Sequence, residues 1–301
     1  MVLFFSRRTY NAATSKFTKN PAALTRYVML NAAGSGGIIS HQDWLAQVMA
    51  ASQTGEVLIF VHGFNTSQSL MLERHGRIEA GLRAHGYRGA VVSFDWPSQG
   101  NIAGYGIDRN HAKQVARHLV PDGVLPILNQ APGVRVHVLA HSMGAYLTLR
   151  AFSGEGEAAG AAPWRADQVL FVAGDVEASA LRSGAWGALV MELRCARLTN
   201  YYSVADKVLQ LSEGILHGGE DRAGQAGLPD APPGNAVDVY TTQQFRDHVP
   251  QARQGELEFS HIWLYEDAGF LRDAALTVAG TPDGVMPTRR NTNVGDRALL
   301  T

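Results

Sequence analysis

Apolar positions along this chain fall into short unbroken runs separated by longer helix-like stretches. The run Val57-Leu58-Ile59-Phe60-Val61 is β-branched and aromatic almost throughout and stops at His62-Gly63. With no polar alternation, it predicts a strand buried on both faces. Ala90-Val91-Val92-Ser93-Phe94 predicts a second such strand, closed by Asp95-Trp96-Pro97. Residues 134–139, 168–173 and 197–204 predict three more, and 237–241 a weak sixth. Helical patterns lie between them, over 67–84 with Gly86 as the stop, over 108–119 with a break at Pro121-Asp122-Gly123, over 124–129, and over 142–152. Another helix is expected just after His261. Alternation of this kind predicts an α/β chain with a mostly parallel central sheet, right-handed crossovers and helices on both faces. Ligands of such sheets bind beyond the carboxyl ends of the strands, so the chemistry is sought there.

The pattern thins at both ends and once in the middle. Residues 1–280 are expected to form a single domain, with 1–55 as an N-terminal extension. That extension holds a possible edge strand at Arg26-Tyr27-Val28-Met29-Leu30 and a helix over 42–49. Gly34-Ser35-Gly36-Gly37 reads as a flexible turn; with no buried strand before it and no helix opening after it, it is a poor phosphate loop. Residues 217–235, rich in Gly, Pro and Asp, are too long for a simple connection and read as a loop insertion. Residues 281–301 are polar and read as a partly ordered C-terminal tail. The opening Met1-Val2-Leu3-Phe4-Phe5 is too short for a signal-peptide core, and Arg7 and Arg8 follow it instead of preceding it. No apolar stretch approaches the length of a membrane span.

Composition narrows the class further. With 301 residues, 46% of them hydrophobic and 18% charged, the chain is a folded globular protein and not a disordered one. Its 26 basic and 27 acidic residues nearly cancel, so no charge excess points to nucleic acid or a membrane surface. Cys195 is the one cysteine, which excludes an intrachain disulfide and a cysteine-based zinc site. Such a chain suits a reducing compartment, and a cytoplasmic location is expected.

The strongest chemical signal is Ala140-His141-Ser142-Met143-Gly144, which follows a predicted buried strand and opens a predicted helix. Small residues on either side of a serine at a strand-to-helix bend form a nucleophile elbow, where bulk would collide with neighbouring backbone. The unpaired N–H groups of the helix start lie ready for a developing oxyanion. A serine that merely caps the helix is the plain alternative. A serine nucleophile needs a base, and the base an orienting acid, in the chain order Ser, Asp or Glu, His. Downstream lie His217, His248 and His261, and His261, in Phe259-Ser260-His261-Ile262-Trp263, is the best placed. Asp206 and Asp175 both follow predicted strands; Asp206, on the later one, leads, and Asp175 is the second choice. His62-Gly63-Phe64-Asn65 ends the first strand, and the backbone N–H groups of Phe64 and Met143 are the expected oxyanion-hole donors. His62 and Asn65 read as turn residues that hydrogen-bond locally. Trp96 and Tyr105 are pocket candidates, although Trp96 with Pro97 serves equally well to cover a core edge. Residues 101–105, beside Gly106, are flexible enough for a lid. No His or Cys spacing suggests a metal site, and no cofactor is expected.

Together these segments resemble an α/β-hydrolase family of unknown function, often described as esterase/lipase-like. The resemblance runs over about residues 55–270, through His62-Gly63-Phe64-Asn65, Trp96-Pro97-Ser98-Gln99-Gly100 and Leu139-Ala140-His141-Ser142-Met143-Gly144. Weaker matches are Gly174-Asp175-Val176, Tyr201-Tyr202-Ser203 with Asp206, and His261. It implies Ser142 as nucleophile, Asp206 as acid and His261 as base, acting on a small-molecule carboxylic ester. Asp95 stands where the family usually has Ser, Ala145 replaces a frequent Asn, and the 217–235 insertion is peculiar to this chain. A lipase, thioesterase or amidase on the same scaffold, or a binding protein that keeps the fold without turnover, are the alternatives.

Overall fold

The computed structural model of the protein describes residues 1–31, 33–98, 104–154, 162–216 and 218–300. They form two compact units, Met1–Gly76 with Arg88–Ala166, and Arg77–Tyr87 with Asp167–Thr301.

The first unit opens with β1 (Val2–Asn11), β2 (Lys16–Leu30) and β3 (Gly36–Ile39). Helix α1 (His41–Ala51) follows, capped by Ser40, whose side chain accepts the Asp43 N–H. Then come β4 (Glu56–Val61), α2 (Gln68–Ala84), of which the residues from Arg77 on are counted in the second unit, and β5 (Ala90–Asp95). The unit continues with α3 (Tyr105–Leu119), α4 (Leu125–Leu128), β6 (Arg135–His141) and α5 (Met143–Phe152). The strand order is β6-β4-β5-β1-β2-β3. The four strands from β6 to β1 run parallel, while β1, β2 and β3 are joined antiparallel. Every residue of β4 and β5 is buried, as an unbroken apolar run requires of central parallel strands.

Two expectations need correction in this unit. Residues 1–55, read as an extension, supply three strands of the sheet: β1 pairs with β5 from Leu3 opposite Val92 to Ser6 opposite Asp95, Phe5 packs on Trp44 and Phe94, and residues 26–30 lie in β2, between β1 and β3 and not at an edge. At Pro121-Asp122-Gly123 the helix does not break. Residues Val120–Val124 form a π-helical turn that carries α3 into α4; Pro121 has no N–H to give the carbonyl four residues back, and the widened turn accommodates its ring.

The second unit contains β7 (Ala166–Val172), α6 (Trp186–Arg194), β8 (Cys195–Tyr202), α7 (Lys207–Leu216), α8 (Ala223–Ala226) and β9 (Ala236–Tyr240). After them come α9 (Thr242–His248), α10 (Gln251–Gln254), α11 (Phe259–Ile262), α12 (Ala268–Val278), β10 (Arg289–Asn291) and β11 (Arg297–Leu299). Its strand order is β7-β8-β9-β11-β10. β8, β9 and β11 run parallel, and β10 closes the edge antiparallel. The C-terminal residues expected as a tail therefore supply two strands. A buried ion pair pins them: Arg289 donates to both carboxylate oxygens of Asp273 on α12, at 2.6 and 2.9 Å, and to Thr277 Oγ1 at 2.7 Å. Within the stretch expected as a loop insertion, α8 forms and Arg222 bridges to Glu177; His217 lies outside the described residues. Among the described residues, no helix is long and apolar enough to cross a membrane.

Candidate active site

Ser142 occupies the one position between β6 and α5. Its backbone, at φ 55° and ψ −126°, lies in a region that costs a residue with a side chain about 1–3 kcal/mol. Two glycines explain why the bend is so tight. A Cβ on Gly144 would lie 2.4 Å from the Val61 carbonyl oxygen and 2.6 Å from that of His62. A Cβ on Gly63 would lie 2.7 Å from Ser142 Cβ. The exits of β4 and β6 are thus pressed together, and only glycine fits at either contact. The Ser142 carbonyl accepts the Ala145 N–H at 3.0 Å, but its side chain makes no capping bond to α5. The plain alternative, a serine held down as a helix cap, does not apply.

The loop after β4 is held in detail. His62 Nδ1 donates to the Gly63 carbonyl at 2.9 Å, which leaves a lone pair on Nε2 to accept the Trp96 N–H at 3.1 Å. The Trp96 indole N–H returns a 2.7 Å bond to the His62 carbonyl, and the two rings stack with centroids 5.1 Å apart. Burial holds the His62 pKa below its ordinary value, so the ring is neutral. Trp96 is fully buried and fills the core edge here. Phe64 meets Tyr105, the first residue of α3, edge to face at 5.4 Å. Asn65 turns the chain at φ 54°. Most of the segment read as a lid, residues 101–103, lies outside the described residues.

In the second unit, His261 Nδ1 donates to Asp206 Oδ2 at 2.6 Å. Asp206 is 1% exposed and His261 7%. The other carboxylate oxygen of Asp206 accepts the N–H groups of Val208 and Leu209, at 3.1 and 3.0 Å, in the first turn of α7. Ser260 accepts the Lys207 N–H at 3.1 Å, which ties α11 to the same helix start. With Nδ1 given to the carboxylate, the tautomer carries its lone pair on Nε2, the atom a general base uses. Asp175, the second candidate acid, is engaged otherwise: fully buried Arg222 donates to its Oδ1 at 2.8 Å and to its backbone carbonyl at 3.1 Å. His248 forms a second imidazole–carboxylate pair, 2.6 Å from Asp267, the cap of α12, with its side chain 38% exposed. Sequence reading missed Arg222 and Asp267 as partners, since each is distant in sequence from the group it meets. Among the described residues, no group of three or more His, Cys, Asp or Glu side chains is placed to hold a metal ion.

A sheet of parallel strands with a serine at such a bend defines an α/β hydrolase. Residues 38–241, about two-thirds of the chain, match the family described as alpha/beta hydrolase of unknown function (DUF900), and the protein belongs to that family. An uncharacterized protein of Nostoc sp. is 40% identical over 58 residues, 19% of this chain and 15% of that protein, so the match spans a small part of its length. Among solved structures, a metagenomic carboxyl esterase is similar at 16% identity over 76% of each chain, with a TM-score of 0.35. Esterase B from Lactobacillus rhamnosis, inhibited by a tributyrin phosphonate, is similar at 13% identity over 77% of this chain and 82% of that one, with a TM-score of 0.34.

Proposed function

We propose that the protein is a serine hydrolase of carboxylic esters. The observation that carries this reading is Ser142, held on a strained bend by two obligatory glycines with its hydroxyl unused as a cap. The Asp206–His261 pair supplies a base in the tautomer such a serine needs. Ser142 Oγ attacks the ester carbonyl carbon, and His261 Nε2 takes the hydroxyl proton. The N–H groups of Phe64 and Met143 receive the oxyanion of the tetrahedral intermediate, where one such donor is worth about 10²–10³ in rate. Collapse expels the alcohol, which leaves with the proton from His261. A water deprotonated by His261 then attacks the acyl-enzyme, releasing the carboxylic acid and restoring Ser142. Asp206 keeps the imidazole in register and stabilises its protonated form. No step calls for a cofactor.

The test is a panel of short- and long-chain p-nitrophenyl esters, thioesters and anilides, run with wild type and Ser142→Ala. Turnover of esters by wild type, abolished in Ser142→Ala, is the expected result. A preference for thioesters or anilides would move the activity to another acyl transfer, and turnover that survives in Ser142→Ala would end the reading.

A further inference from the structure

We propose that Arg8 and Asp95 are a positioning pair that fixes the loop of residues 62–66, so that the Phe64 N–H is aimed for oxyanion binding. The inference rests on the function proposed above. It begins with Asp95, the carboxylate directly before Trp96-Pro97-Ser98. Asp95 ends β5 and is fully buried. Burial by itself would raise its pKa; the Arg8 guanidinium beside it and His62, whose Nε2 lies 3.5 Å from Oδ1, together outweigh that and hold the carboxyl below the ordinary range. Arg8 Nε donates to Oδ1 at 2.6 Å, and Ser6 and Gln68 each donate to Oδ2 at 2.9 Å. A serine at 95 would leave a buried guanidinium with no counter-charge, so the two residues belong together.

The rest of the Arg8 guanidinium reaches the loop. Nη2 donates to the Thr66 carbonyl at 2.9 Å, and Nη1 lies 3.5 Å from the Ser98 carbonyl. Thr66 is held at every other polar atom as well. Its N–H goes to Ser98 Oγ at 3.1 Å, and Ser98 in turn donates to Asp108 at 2.6 Å. Its hydroxyl accepts from Arg74 at 3.1 Å and donates to the Phe64 carbonyl at 3.1 Å. At the other end of the loop, His62 holds the Gly63 carbonyl, and in a trans peptide the Phe64 N–H then points the opposite way. The Phe64 N–H is therefore gripped from both sides, by His62 on one and by the relay Asp95–Arg8–Thr66 on the other. Ser6, Arg8, Thr66, Arg74, Asp95, Ser98 and Asp108 are all buried, so water does not compete for these bonds.

Arg8→Lys tests the pair, because lysine keeps a cation beside Asp95 but lacks the planar fork that spans carboxylate and carbonyl. The double variant Arg8→Met/Asp95→Ser removes both charges and serves where the single variant folds poorly. Three quantities are read: kcat and KM for p-nitrophenyl butyrate, KI for a trifluoromethyl ketone that forms a tetrahedral adduct, and amide exchange by mass spectrometry. The expected result is a 10–100-fold fall in kcat with KM within about threefold, and a KI that rises in step with the kcat loss. Amide exchange in peptides covering 62–67 speeds at least tenfold, while peptides covering 140–147 are unchanged. Wild-type kcat and wild-type exchange at 62–67 in a folded variant would overturn the proposal, and so would exchange that speeds equally everywhere. Absence of Ser142-dependent turnover in the wild type would remove the reading beneath it, and the wild-type assay alone exposes that failure.

Discussion

Replacing Gly144 by alanine puts one methyl group where the end of β4 already lies. The added carbon would sit 2.4 Å from the Val61 carbonyl oxygen and 2.6 Å from the His62 carbonyl oxygen, against a floor of about 3.0 Å for real contacts. Both obstacles are backbone, so no side chain can swing aside; β4 and α5 must separate by roughly 0.6 Å or more. Overpacking of this kind costs about 1–3 kcal/mol. In a protein of this size that is a Tm fall of roughly 2–5 °C. The same shift moves Ser142 relative to the Phe64 and Met143 N–H groups, and a displacement approaching 1 Å costs about 10²-fold in rate. Gly76→Ala is the control. Gly76 lies within α2, and a Cβ there meets nothing within 4 Å, so alanine is expected to raise stability by about 0.5–1 kcal/mol without touching activity. Differential scanning calorimetry and ester kinetics on both variants decide the matter. A Gly144→Ala protein with wild-type Tm and wild-type kcat would refute the close-packed bend.

Four further outcomes follow from particular contacts, three of them with matched controls. Asp206→Asn lowers kcat about 10³–10⁴-fold in a folded protein by releasing the His261 tautomer. Asp175→Asn instead strands buried Arg222 and lowers stability by about 3–5 kcal/mol in urea titrations, with activity kept in the folded fraction; loss of turnover only in Asp175→Asn, with both variants folded, reverses the assignment. His137, buried on β6 near Arg135 and 4.0 Å from Glu56, has its pKa lowered to about 3, first by burial and then by Arg135. The unfolded chain takes up that proton below pH ~6.5 while the native state stays neutral, so its stabilisation is complete above pH 6.5 and is lost as the pH falls toward 3. Between pH 6.5 and 4 this amounts to about 3 kcal/mol, and His137→Leu should flatten that part of the stability–pH curve; an unchanged slope contradicts it. Arg289→Met leaves the Asp273 carboxylate buried without its partner and costs about 3–5 kcal/mol, whereas exposed Arg290→Ala changes stability by less than about 0.5 kcal/mol.

Much of the sheet is legible from apolar runs alone. β4 to β9 lie within two residues at each end of the segments that predict them, nearly unbroken apolar runs for β4, β5 and β7 and runs interrupted by polar residues such as Arg135, Asn200 and Asp238 for β6, β8 and β9. The elbow is legible because steric demand at a tight bend writes itself as small residues: Gly63 and Gly144 each touch backbone or the serine itself. What hydropathy hides is structure whose burial is paid in ion pairs. β1 contains Arg7 and Arg8, which look like surface, yet Arg8 is buried against an aspartate 87 residues away. β10 and β11 are three residues each, too short for a period, and are anchored by Arg289 on Asp273. The choice between Asp206 and Asp175 shows the same limit. Both follow a strand by three or four residues, and what tells them apart is their partners, an imidazole and a guanidinium.

The central claim is that Ser142 is a nucleophile activated by His261. Its most direct test is intact-mass spectrometry after exposure to a fluorophosphonate probe. The account predicts one adduct per native chain, mapped to Ser142, absent from Ser142→Ala and strongly slowed in His261→Ala. A native chain that takes up no probe, or takes it up equally after Ser142→Ala, contradicts it.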